Sequence, residues 1–175
     1  MFPALIPNPE LGTPPVQIIA RPQQEVIQFE IAGEPVPYRE RAAFAKNKKF
    51  IYSYRPKNVI DAGKYAKIEA ERAMGVKAPF TGAVALNAIF FMPIPASWSK
   101  KEKAAALNRF HIVKPDRTNL TKLLEDAFKG VIWADDSEVC AGQIYKVYSN
   151  KPRTLVQVQT IEGAVNAERL TFHIV

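Results

Sequence analysis

The sequence predicts a single α+β domain, and three observations predict it. The stretch AVALNAIFFMP at 83–93 alternates, placing Val84, Leu86, Ala88, Phe90 and Met92 on one face as a half-buried strand requires. The stretch NLTKLLEDAFKG at 119–130 instead puts Leu120, Leu123, Leu124, Ala127 and Phe128 on one helical stripe and closes on Gly130. A chain of 175 residues that is 47% hydrophobic supports one core, and a lone Cys140 rules out a disulfide scaffold.

In chain order, residues 1–24 read as an extended arm, because six of the fourteen prolines fall at 3, 7, 9, 14, 15 and 22. The folded domain is assigned to 25–175. EVIQFEIAG at 25–33 alternates Ile27, Phe29 and Ile31 and stops at Gly33 and Pro35. The basic segment after it reads as loop, and FIYSY at 50–54 as a short strand. Asn58 with Asp61 opens a helix to about Met74, where Gly75 offers a stop; Tyr65, Ile68 and Arg72 lie at helical spacing. Pro93 and Pro95 end the long strand. Ser99 and Glu102 then match a capping box that starts a lysine-rich helix to about Leu107. Beyond the helix at 119–130, VCAGQIYKVYS and RTLVQVQTIE read as a hairpin around Ser149–Pro152, and LTFHIV at 170–175 as an edge strand.

Charge narrows the function. The chain carries +7, unevenly placed. Residues 39–57 hold Arg39, Arg41, Lys46, Lys48, Lys49, Arg55 and Lys57 against Glu40 alone. Residues 100–122 hold Lys100, Lys101, Lys103, Arg109, Lys114, Arg117 and Lys122 against Glu102 and Asp116, and 123–139 reverse the sign. Two basic strips around an acidic island suit a polyanion handled with a bound cation. Two histidines and one cysteine leave almost no material for a zinc cluster or a Cys–His pair, so metal chemistry would use carboxylates. MFPALIPNPE has neither a basic start nor a long apolar run, so no signal peptide, no membrane helix and a cytoplasmic location are expected.

The informative stretch is KPDRTNLTKLLEDAFKGVIWADDSEV at 114–139. Asp116 precedes the helix, Lys122 lies in its first turns, and Asp135 and Asp136 follow the Gly130 stop. If the next strand folds back beside the helix start, Asp116 and Asp136 meet around a hard divalent cation, which takes oxygen ligands. Such a centre polarises a phosphodiester and activates water, with Lys122 neutralising charge on the phosphate. Read singly, each residue has a plainer role. Asp116, Thr118 or Asn119 would cap the helix, Asp135–Asp136 would form a turn, Lys122 would be solvated, and Trp133 would pack in the core.

The segment as a whole resembles the signature of the RusA-type Holliday junction resolvases. Lys114-Pro115-Asp116, Asn119-Leu120, Lys122, Asp126-Ala127, Gly130, Trp133 and Asp135-Asp136-Ser137 fall at its positions. Phe29 to Pro37 looks like the family's opening strand and proline turn, and Pro95 to Lys101 like the approach to its lysine-rich helix. The resemblance covers about residues 26–161. It implies a small mixed β-sheet packed with a few helices, a two-fold dimer, and magnesium- or manganese-dependent incision of four-way DNA junctions, with no small-molecule cofactor. By the same resemblance Asp116 and Asp136 are metal-binding aspartates and Lys122 is the catalytic lysine. One position departs: Thr118 stands where the family has a second aspartate. Asp135 or Glu125 then compensates, or cleavage is slow and needs high metal or manganese, or the chain binds junctions without cutting them; fold and DNA recognition are expected to be retained and cleavage impaired.

For DNA contact, Arg39, Arg41, Lys46, Lys48 and Lys49 are expected on a phosphate-gripping loop, and Lys100, Lys101, Lys103, Arg117 and Lys122 around the site. Phe44, Phe50, Tyr52 and Tyr54 read as strand packing before base stacking. Cys140 reads as a small strand residue, and His111 and His173 have no catalytic partner pattern. Crowding of Asp116, Asp135 and Asp136 is expected to raise their apparent pKa. A basic RNA- or protein-binding domain whose acidic turn is incidental is the remote alternative.

Overall fold

The computed structural model describes residues 25–44 and 51–161. The arm at 1–24, the 170–175 strand, His173, Phe50 and the loop lysines Lys46, Lys48 and Lys49 therefore lie outside the described residues, as does the side chain of Phe44. In order, the elements are β1 (Val26–Ala32), β2 (Arg41–Phe44), β3 (Ile51–Tyr54), α1 (Lys57–Met74), β4 (Val84–Pro93), α2 (Lys100–Ala106), α3 (Arg117–Phe128), a 3-10 turn (Asp136–Glu138), β5 (Val139–Ala141), β6 (Ile144–Ser149) and β7 (Arg153–Thr160). They form a five-stranded mixed sheet packed with helices and a separate two-stranded β2–β3 sheet, an α+β domain.

The sheet is built outward from β4, whose Val84, Leu86, Ala88, Phe90 and Met92 are all buried. β7 pairs with it antiparallel from Val84↔Thr160 to Phe91↔Arg153, and β1 pairs antiparallel with the far side of β7. On the other edge of β4, β5 and then β6 run parallel to it. The expected hairpin of 139–149 with 153–162 is therefore corrected: β4 lies between β6 and β7. The physical reason is that the most apolar strand takes the centre, and Pro93 ends it, so Asn150–Pro152 passes beyond its tip from one edge to the other.

Other expectations shift locally. VCAGQIYKVYS is two strands, broken at Gly142, where a Cβ would sit 1.8 Å from the Leu86 carbonyl oxygen. The first basic strip is not all loop, since Arg41–Phe44 pairs antiparallel with Ile51–Tyr54. Helix α1 begins at Lys57 with Pro56 at its cap and no side-chain cap bond, so Asn58 and Asp61 do not open it. Its buried stripe is Val59, Ala66, Ala70 and Met74, while Tyr65 and Ile68 face outward. Ser99 and Glu102 form the expected capping box of α2.

α1 and α3 lie against each other over one face of the sheet, and Leu120, Leu123, Leu124, Ala127 and Phe128 of α3 join the core. Each fully buried leucine there stabilises the fold by roughly 2 kcal/mol. Beyond β6, backbone bonds from Asn108, Tyr148 and His111 tie the segment after α2 to the strand's outer edge, which is thereby covered.

Candidate active site on helix α3

Burying the leucine stripe of α3 turns its other residues outward. Asp116, Arg117, Thr118, Asn119, Lys122 and Asp126 are all exposed, as are Asp135 and Asp136 past the helix end. The segment is held at both ends. At the start, the cis Lys114–Pro115 peptide leads into Asp116, which occupies the N-cap position, yet its side chain makes no cap hydrogen bond. The carboxylate is thus free for other work. The Lys146 ammonium, reaching up from β6, donates to the carbonyl oxygens of Val113 at 2.9 Å and Pro115 at 2.5 Å and so braces the turn that carries Asp116. Burial lowers the Lys146 pKa, and the Asp116 charge opposes that shift.

At the far end, Ile132 and Trp133 are fully buried, with Trp133 edge-on to Phe128 at 5.7 Å, and Gly130 adopts φ 75°. Trp133 is a packing residue, as its plainer reading holds. The chain is pinned up to Trp133 and surfaces from Ala134 onward. Asp135 accepts from the Ser137 backbone N–H at 3.1 Å, which fits the turn-pair reading of this aspartate. It also shares a cation with its neighbour: the Lys129 ammonium lies 2.5 Å from Asp135 and 2.9 Å from Asp136. Asp135 accordingly sits well below the usual carboxylate range, first through Lys129 and then through Ser137. The expected rise from acidic crowding is not found at Asp135. A rise is found instead at the half-buried Glu125, outside that trio, and its main cause is desolvation, with Asp136 and Asp126 adding to it.

Between the ends, the Lys122 ammonium stands 4.4 Å above the Tyr38 ring, a cation–π distance. Tyr38 is itself fixed, with its backbone N–H donating to the Asn119 carbonyl at 2.8 Å and its hydroxyl to Glu40. That hydroxyl bond, then burial, raises its pKa, keeping the phenol protonated.

The structure thus joins Asp135 and Asp136 through Lys129 and leaves Lys122 exposed on α3 against the Tyr38 ring. Among the described residues no set of three His, Cys, Asp or Glu side chains converges, and no hydrogen bond or ion pair joins Asp116 to the Asp135–Asp136 pair. Arg39, Arg41, Lys100 and Lys101 are exposed; Lys103 donates to the Ala96 carbonyl at 2.8 Å and serves the loop before α2. Cys140 is an exposed residue of β5, and His111 is buried against Tyr148. Sequence reasoning missed Lys129, Lys146 and Tyr38. A signal existed only for Lys129, the sole cation in the acidic island.

Asp135 and Asp136 present oxygen donors of the kind a divalent ion takes. Two carboxylates already converge on one cationic group, and magnesium is commonly held by one or two carboxylates with water and substrate phosphate completing its shell. Thr118 is an exposed neutral residue in the first turn of α3.

Comparison with known proteins adds two findings. A family model described as "Endodeoxyribonuclease RusA" matches residues 32–159. The uncharacterized protein YqaN of Bacillus subtilis (strain 168) is 29% identical over 143 residues, covering 79% of this chain and 99% of that protein.

Proposed function

Since the chain belongs to the RusA endodeoxyribonuclease family, we propose that it acts on four-way DNA junctions, incising paired strands symmetrically as a two-fold homodimer during recombination and repair. The feature that supports this reading is the α3 segment, where Lys122 is exposed on the helix between Asp116 at its N-cap and the Lys129-bridged Asp135–Asp136 pair beyond its end. A dimer presents two such segments to two related strands.

In this reading Asp116, Asp136 and Asp135 would hold magnesium or manganese, and the bound ion would supply a polarised phosphodiester and an activated water. The chain's own residues do the rest. Lys122, held over Tyr38, meets charge developing on the phosphate, and its loss is expected to cost about 100-fold in rate. Lys146 positions Asp116 through the two carbonyls it bonds. Arg117 and the exposed cations of both basic strips hold the flanking backbone.

A second reading is favoured by two features together: Thr118 in place of the aspartate, and Lys129 occupying the Asp135–Asp136 pair. In it the chain binds junctions and does not cut them. Cleavage of a labelled junction in magnesium and in manganese, beside a binding assay, separates the two for the native chain and Thr118→Asp. The nuclease reading expects cutting by the native chain and faster cutting by the variant. Binding by both with cutting only by the variant establishes the second reading, and absence of junction preference in both sinks the two together.

A further inference from the structure

A groove of about 410 Å³ runs between α1 and α3, adjoining the candidate site and sharing Asp126 and Lys129 with it. Its walls include Tyr38, Arg55, Lys64, Lys67, Asp126 and Lys129, four cations to one carboxylate. Arg55 reaches Asp126 at 3.8 Å, and Lys129 is engaged with Asp135 and Asp136. Lys64 and Lys67 are exposed and have no ion pair among the described residues. Both lie one turn apart on α1, so their ammonium groups line the same wall.

Gly63 is the second, independent observation. It lies mid-helix in α1, where glycine costs about 1 kcal/mol relative to alanine. Among the described residues nothing asks for it: a Cβ built there meets no atom within 4 Å. The space it leaves is the groove itself, of which Gly63 is a lining residue. Open room beside two unpaired lysines suits a bulky anion that approaches the helix backbone closely.

The groove is continuous with the candidate site at two points. Tyr38 lines it and carries Lys122 on its ring, and Lys129 lines it and carries Asp135 and Asp136. We propose that this groove is a second DNA contact, a track that holds backbone phosphates of the strand flanking the candidate site on α3, with Lys64, Lys67 and Arg55 as the phosphate partners and Gly63 as the clearance. The inference rests on the DNA reading above and extends it to residues on another helix.

Binding of a labelled four-way junction in chelator, titrated from 50 to 200 mM salt, tests it with two variants of opposite character. Lys64→Gln combined with Lys67→Gln is expected to reduce the salt dependence by about two counterions. Gly63→Leu is expected to keep the helix, leave the melting temperature equal or higher, and weaken binding by roughly tenfold without loss of charge. Native-like binding by a folded Gly63→Leu, or an unchanged salt slope in the double variant, overturns the groove and leaves the DNA reading standing. A native chain that binds no DNA overturns both.

Discussion

The Lys129 ammonium is bonded to both Asp135 and Asp136, so a divalent ion using those carboxylates must displace it. Lys129→Met is therefore expected to lower the magnesium concentration that half-saturates the site by about threefold, read by the metal-dependent shift in melting. The same substitution lets the Asp135 carboxyl return toward its usual range, which a carbon-detected NMR titration follows. His111 gives a separate test. Burial, and then the nearby Lys146 charge, hold its pKa below the ordinary 6.5. Unfolded His111 takes up a proton near that value while the folded residue stays neutral to lower pH. The unfolded state binds more protons in this window, so stability falls as pH drops below about 6.5 and is flat above it with respect to this group. Melting of the native chain and His111→Gln at pH 5, 6 and 7 should show a shallower acid loss for the variant.

At the scale of elements, Gly142 decides where one run of sequence becomes two strands. Its φ of 150° and the 1.8 Å approach of a Cβ to the Leu86 carbonyl leave no room for a side chain. Gly142→Ala is expected to cost about 2 kcal/mol or more, measurable by chemical denaturation. The same region shows what the sequence could reveal. β4 and α3 were legible because long apolar runs carry their own period, 2 in one and 3.6 in the other. The partner of β6 was not, because alternation states which face is buried and says nothing of which edge is paired. The buried side of α1 was hidden for a different reason: it is made largely of Ala66 and Ala70, which contribute little to a hydrophobic pattern. In the candidate site, the contiguous motif put Asp116, Lys122, Asp135 and Asp136 in view. Lys146 and Tyr38 reach it across long sequence separations, and no local spacing announces such contacts.

For the whole molecule, the net charge of +7 and the divided surface meet in the response to metal. Magnesium that binds only the folded state should raise the melting temperature, by about 2.7 kcal/mol of linkage at a hundred times its dissociation constant, and a chelator should remove the effect. No shift in either magnesium or manganese would count against metal binding by Asp116, Asp135 and Asp136. Among the described residues no helix is long and apolar enough to cross a membrane. The order of the sheet carries a further consequence, for synthesis. β7 is the last described strand in sequence and yet lies between β1 and β4, pairing with both. While the chain emerges from the ribosome, the middle of the sheet stays vacant until Arg153–Thr160 is free to enter it. Earlier segments must wait with two strand edges open, so a product truncated before Arg153 would lack the strand that joins β1 to β4 and be exposed to edge-to-edge aggregation.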